Sequence, residues 1–312
     1  MAKNKNYRFS GHETFPCRYA WLPKAYLAIN MNPRIFADTE NAMVVMGVGK
    51  NMVRAIQFWV QACGVAKPLP DGGYTITDFG GKLLSADGFD PFLEDIRTLW
   101  LIHWNLSSHV EEPLFAWDYL LNNWGYIEIT RNEVVQAFGR EASRLERKLS
   151  VITLEQHFDT FLHTYVPTHG EKGNVREDNL DSPLIELELL QKVGERKSNE
   201  GGKRETIYAF RREEKSNITS ELFLYCLNDF WNKYRATERT LTFRDISVTH
   251  GSPGQIFKLP EPSIRERLKS LETDSKGTFI YRESVSAQQV IRDNFEHKDF
   301  LAEVYTMEDQ NA

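Results

Sequence analysis

From Asp38 to Cys63 the chain reads DTENAMVVMGVGKNMVRAIQFWVQAC, two helices about a glycine turn. The second helix has two opposed faces. Met52, Val53, Ile56, Trp59, Val60 and Cys63 recur at helical spacing and form an apolar stripe. Lys50, Arg54, Gln57 and Gln61 line the other side, with no acid among them. Gly47 and Gly49 permit the bend between the helices, and Gly64 is placed to end the second one. After the second helix, Asp71-Gly72-Gly73 turns the chain, Tyr74-Thr75-Ile76 alternates as a strand, and Thr77 or Asp78 is set to cap a helix running to about Leu84. Helix, turn, helix, hairpin and helix in this order predict a winged helix whose basic, amide-rich face suits the DNA major groove. The blander alternative is a packed helical core with no ligand.

Net charge alone argues against a simple basic DNA-coating protein, because the chain carries -6. Its distribution says otherwise. Residues 1 to 67 hold nine Lys and Arg against Glu13, Asp38 and Glu40, which is +6. Residues 68 to 135 hold eleven acids against Lys82, Arg97 and Arg131, which is -8, and residues 283 to 312 add -5, seven acids against two bases. Screening acts over about 10 Å, so a basic head on an acidic body attracts phosphate locally.

No apolar run is long enough to span a membrane and no leader pattern opens the chain, so a cytoplasmic protein is expected. Cys17, Cys63 and Cys226 show no metal-ligand spacing, and the last two read as core residues. A first unit is expected to about residue 110, its last helix opened by Asp90 as cap and Pro91 at the first helical position. A helical connector follows at 111–170. Thr168 to Asn179 is the best linker, and Gly201-Gly202 suggests a mobile hairpin with Thr206 to Phe210 as one strand. From 171 to 312 an α+β domain is expected. It has a helix near Glu221 to Tyr234, a short helix from Phe243, a turn at Ser252 to Gln255, a helix over Ser263 to Leu271 and a strand at Thr278 to Tyr281. That order again resembles a winged helix.

No phosphate loop, dinucleotide fingerprint, zinc motif or nucleophile elbow is present. Phosphodiester chemistry needs less: carboxylates, with or without a His, holding Mg²⁺ and a positioned water. Three clusters qualify. His12 and Glu13 are adjacent on a glycine-flexed segment with Arg18 nearby, the alternative being Thr14 or Glu13 as N-cap of a helix starting near Pro16. Glu94 and Asp95 begin a helix that carries His103, although acids in a first turn are favoured by the helix dipole alone. Glu111 and Glu112 stand beside His109, where a solvated loop is the simpler reading. Cys17 is a minor candidate for accepting sulfur.

Four strings, FSGHETFPCRYAWL at 9–22, MGVGKNMVRAIQFW at 46–59, DPFLEDIRTLWLIHWNL at 90–106 and SPGQIFKL at 252–259, resemble a bacterial family long labelled only as a domain of unknown function. That family includes the B component of the Ssp DNA phosphorothioation system. The resemblance implies partners, namely a cysteine desulfurase, an ATP-using sulfur-transfer enzyme and a further ATPase. Such systems replace a non-bridging phosphate oxygen of DNA by sulfur in phage defence. The resemblance also implies nicking of one DNA strand with a divalent metal. His12, Glu13, Lys50, Asn51, Glu94 and Asp95 lie in the family strings, but their individual roles do not follow from the resemblance.

The combined expectation is a mainly α protein with small β hairpins, an α+β chain with an N-terminal winged helix at 1–110. Its expected activity is Mg²⁺-dependent DNA nicking. Glu13 and His12 would be catalytic, and Glu13, Glu94 and Asp95 would hold the metal. Lys50, Asn51, Arg54, Gln57, Gln61 and Arg18 would contact DNA. The rival reading is a non-catalytic winged-helix targeting subunit or transcription regulator. An adaptor that binds only proteins fits the Lys50 to Gln61 stripe poorly.

Overall fold

The computed structural model describes residues 5–167, 182–197, 204–284, 287–292 and 299–306. The expected linker at 168–179 and the Gly201-Gly202 break lie outside the described residues. The chain is α+β, with many helices and small antiparallel sheets. It divides into two compact units, one of residues 1–119 and 124–211, the other of residues 120–123 and 212–312. The division therefore falls near 211, whereas the sequence suggested 110 and 170.

The first unit begins with α1 (Trp21–Met31), α2 (Thr39–Met46) and α3 (Lys50–Ala62). Asp38 caps α2 by accepting from the Asn41 amide at 3.1 Å. Gly47 ends α2 in the left-handed region at φ 64, where an L side chain is strained, and only Val48 and Gly49 separate it from α3. α1 and α2 both pack on α3, which buries Val53, Ala55, Ile56, Phe58, Trp59, Val60 and Ala62. A hairpin follows, β1 (Ala66–Pro68) paired with β2 (Tyr74–Ile76), and then α4 (Asp78–Leu84), capped by Thr77, which accepts from the Gly80 amide at 3.0 Å.

Helix α5 (Ile96–Ser107) starts later than the sequence suggested. Asp90 accepts from the Glu94 and Asp95 amides at 2.9 and 3.0 Å, so it closes a turn, and Leu93 at φ 61 prevents that turn from growing into the helix. Asp95 is the N-cap. Trp100 and Trp104 are buried, as their spacing predicts. α6 (Phe115–Asp118), α7 (Arg131–Arg144) and α8 (Val151–Tyr165) complete the α-helices of this unit among the described residues. Phe9, Phe115, Phe138, His157 and Phe161 belong to one connected aromatic cluster around α8. A three-stranded sheet runs in the order β3 (Glu128–Ile129), β5 (Arg204–Phe210), β4 (Leu190–Lys197).

The second unit runs α9 (Ser220–Tyr234), β6 (Thr240–Thr242), α10 (Phe243–Ser247), α11 (Pro253–Ile256), α12 (Glu261–Asp274), β7 (Phe279–Glu283), β8 (Gln288–Arg292) and α13 (Phe300–Tyr305). Its sheet has the order β6-β8-β7, all antiparallel. Ser252 to Gln255, read as a turn, is the start of α11, with Ser252 as cap. Residues 120–123 lie in a π-helical turn and are fastened by this unit's own groups. The Lys258 amino group donates to the Leu121 carbonyl, and the Gly251 amide donates to the Asn122 side-chain carbonyl at 2.8 Å.

Candidate nucleic-acid interface

The outer edge of α3 is built by its burial pattern. Because Val53, Ile56 and Val60 face inward, Lys50, Asn51 and Arg54 are left exposed. Gly49 offers no side chain to the first amides of α3, and no acid lies in its first turn. The positive end of the helix dipole thus meets solvent beside Lys50. Among the described residues neither Lys50 nor Arg54 has an ion-pair partner.

Gln57 and Gln61 behave differently. Each donates through Nε2 to the Tyr74 hydroxyl at 2.9 Å, and Gln61 also donates to the Gln57 carbonyl at 3.0 Å. They hold β2 against α3, so two of the four residues in the expected donor line are structural ties to the hairpin. Arg18 is half-buried, its guanidinium 5.5 Å from the centre of the Trp21 ring.

The segment that carries His12 and Glu13 is not a helix cap. Gly11, Glu13 and Thr14 all have positive φ, and α1 begins only at Trp21 with Ala20 as an uncapped N-cap. The Trp59 indole donates to the Phe15 carbonyl at 3.0 Å, and Arg8 lies over the Phe58 ring at 4.5 Å, so this segment covers the inner face of α3.

His12 is buried, and its Nε2 stands 3.0 Å from His157 Nδ1 of α8. Its Nδ1 lies 3.1 Å from both the Thr14 amide and the Thr160 hydroxyl, while His157 Nε2 accepts from the Ala116 amide at 2.9 Å. Two neutral rings carry two protons among four nitrogens. If both amides are honoured, those protons meet head-on between the rings. The consistent arrangement sends Ala116 N–H to His157, His157 Nδ1–H to His12, His12 Nδ1–H to Thr160, and the Thr160 hydroxyl to the Gln156 carbonyl at 2.9 Å. The amide released is that of Thr14, which is exposed and reachable by water. Burial, then the nearby Arg8 charge, lowers the His12 pKa to about 4. Burial, then His12, lowers that of His157 well below its ordinary value. The pair is a neutral buttress, its ring nitrogens engaged by one another, by the Thr160 hydroxyl and by the Ala116 amide.

Asp95 is also committed. Arg97 clasps it through Nε at 3.0 Å and through a terminal nitrogen at 2.6 Å, and the Arg97 amide donates to it at 2.8 Å. Burial acts to raise its pKa, but these bonds outweigh it and hold the carboxyl below the usual range. Among the described residues no three His, Cys, Asp or Glu stand close enough to hold a metal ion. Glu13 is half-buried and Glu94 exposed, and neither side chain has a hydrogen-bond or ion-pair partner there. These two are the unspent carboxylates of the expected set. Cys17 is buried, as are Cys63 and Cys226. His109, from the third cluster, lies 2.7 Å from the Ala62 carbonyl at the end of α3, and Glu112 accepts from Asn6 at 3.2 Å. His157 was missed by sequence reading. Its signal was a lone His on the inward face of α8, among Leu154, Phe158 and Phe161.

A helix-and-hairpin unit with a bare basic edge, buttressed by a buried histidine pair, describes the class of fold. The family described as protein of unknown function DUF4007 matches residues 9–305, and the chain belongs to it. Two solved structures are similar over most of their length. An SspB crystal structure aligns with a TM-score of 0.79 at 25% identity, over 93% of this chain and 85% of that one. A magnesium ion-bound SspB crystal structure aligns with a TM-score of 0.79 at 24% identity, over 92% and 84%. No curated protein matches. Among the described residues no helix is long and apolar enough to cross a membrane.

Proposed function

We propose that the chain is the DNA-binding component of a bacterial Ssp-type DNA phosphorothioation system, and that α2, α3 and the β1–β2 hairpin form a winged helix that docks α3 on DNA. One observation carries this: α3 presents Lys50, Asn51, Arg54 and an uncapped N-terminus to solvent, with no acid on the helix. The similarity to SspB supports placing it with a cysteine desulfurase and a sulfur-transfer ATPase. We further propose that it nicks one strand with Mg²⁺. Mg²⁺ is usually held by one or two carboxylates together with water and substrate phosphate, so a three-ligand protein cage is not required. Glu13, and Glu94 after it, are the carboxylates available to hold the ion. When bound, the ion would neutralise charge developing on the phosphate.

The test is duplex binding across a salt series, together with relaxation of supercoiled plasmid in Mg²⁺ or EDTA. Lys50→Ala/Arg54→Ala should weaken binding and make the salt slope shallower by about 2, near 0.9 per lost phosphate contact. Glu13→Gln should stop nicking and leave binding intact. Unchanged affinity and slope in the double variant would remove α3 from the interface. A wild type that binds but never nicks, even with its sulfur-transfer partners, would leave a targeting subunit.

A further inference from the structure

The second unit follows a similar order, helix, two short helices, longer helix and hairpin, with an added strand, β6, pairing the hairpin strand β8. In that order α12 occupies the place that α3 holds in the first unit, and β7–β8 the place of the hairpin. The two helices differ in charge. α3 carries Lys50 and Arg54 and no acid, which is +2. α12 carries Arg265, Arg267 and Lys269 against Glu261, Glu266, Glu272 and Asp274, which is -1.

The cations of α12 and β7 are also occupied one by one. Arg265 pairs with Glu283 of β7 at 2.5 Å. Arg282 of β7 pairs with Glu272 at 3.2 Å. Lys269 pairs with Glu266 at 2.8 Å. Arg267 is turned inward, donating to the Ile218 and Lys215 carbonyls and pairing with Glu214 at 2.5 Å. Two of these pairs, Arg265–Glu283 and Arg282–Glu272, join helix to hairpin, so the surface that would close on a phosphate backbone is tied across by its own carboxylates.

We infer that the α12 and β7–β8 face of the second unit is a phosphate-backbone surface cancelled by Glu266, Glu272 and Glu283, so that DNA affinity rests in the first unit. The inference rests on the DNA-binding reading above and adds where that affinity is excluded. Arg265, Lys269 and Arg282 are already neutralised by their carboxylates, so an approaching phosphate gives up few of the DNA's own counterions to them, and it meets the carboxylates' repulsion as well. Each pair is exposed and worth little to folding, so it is replaceable without loss of the fold.

The experiment uses the full chain and a duplex of arbitrary sequence, with binding followed by fluorescence anisotropy from about 50 to 200 mM salt. Circular dichroism checks that each variant is folded. Arg265→Ala/Lys269→Ala/Arg282→Ala should bind with wild-type affinity and salt slope. Glu266→Gln/Glu272→Gln/Glu283→Gln should bind more tightly, with a slope steeper by about 2, as two or three freed cations reach phosphates. A tenfold loss in the first variant, or no gain in the second, overturns the inference. If the wild type binds no DNA, the proposed function fails on its own, while a gain in the Glu→Gln variant still upholds the cancelled surface.

Discussion

His12 and Glu13 are neighbours in sequence with opposite fates. Glu13 keeps an unpartnered carboxylate, while both His12 nitrogens face groups of the buried cluster. The proton count has a measurable consequence in acid. The folded pKa of His12, about 4, lies below the unfolded value of about 6.5. The unfolded chain therefore takes up protons first as pH falls. Stability from the neutral ring is complete above about pH 6.5 and is lost between there and pH 4, reaching about 2 kcal/mol for His12 by pH 5. His157 is shifted in the same direction and adds to the loss. The urea midpoint should drop from pH 7.5 to 5.0, and His12→Gln/His157→Gln should flatten that drop. Equal acid sensitivity in the two proteins would locate the titration elsewhere. None of this was legible in the string FSGHETFPC, because His157 is 145 positions away. Adjacency of His and Glu suggested a shared ligand, whereas burial divided them.

At the scale of elements, local chemistry was read well where the pattern repeats over several turns. The helix from Lys50 and the burial of Trp59, Trp100 and Trp104 follow from periodicity, and Thr77 caps α4 as its position suggests. Periodicity was blind to what lands on a face from elsewhere. Gln57 and Gln61 fall on the polar side of α3, but Tyr74 arrives there and takes both amides. The start of α5 was misplaced for a similar reason, since Asp90-Pro91 looks like an opening and only the left-handed Leu93 interrupts it. Gly80 shows how closely α4 is set against the end of α3. A Cβ there would stand 2.2 Å from the Val65 carbonyl oxygen, which also accepts from the Thr77 amide at 3.0 Å. Neither backbone yields without breaking that bond. Gly80→Ala should destabilise the chain by about 1–3 kcal/mol or more, read as a lower urea midpoint. An unchanged midpoint would mean that helix and hairpin slide apart freely.

For the whole molecule, charge by segment located the basic edge. The division of the chain was less legible because sequence reading assumes that units follow one another. Residues 120–123 break that assumption. They belong to the second unit, yet their neighbours on both sides belong to the first. A fragment of residues 212–312 lacks the Leu121 carbonyl that receives Lys258 and the Asn122 oxygen that receives the Gly251 amide. A buried backbone amide such as that of Gly251, left without its acceptor, costs about 1–3 kcal/mol. The fragment should therefore melt at a lower temperature and less cooperatively than the same residues in the full chain, followed by circular dichroism. A sharp transition at the full chain's temperature would count against this. The interleaving also limits inheritance. A gene rearrangement that breaks the chain at one point anywhere from 124 to 211 separates the four-residue peg from its socket. Such a unit does not shuffle as a cassette, and it passes between lineages only with most of its host attached.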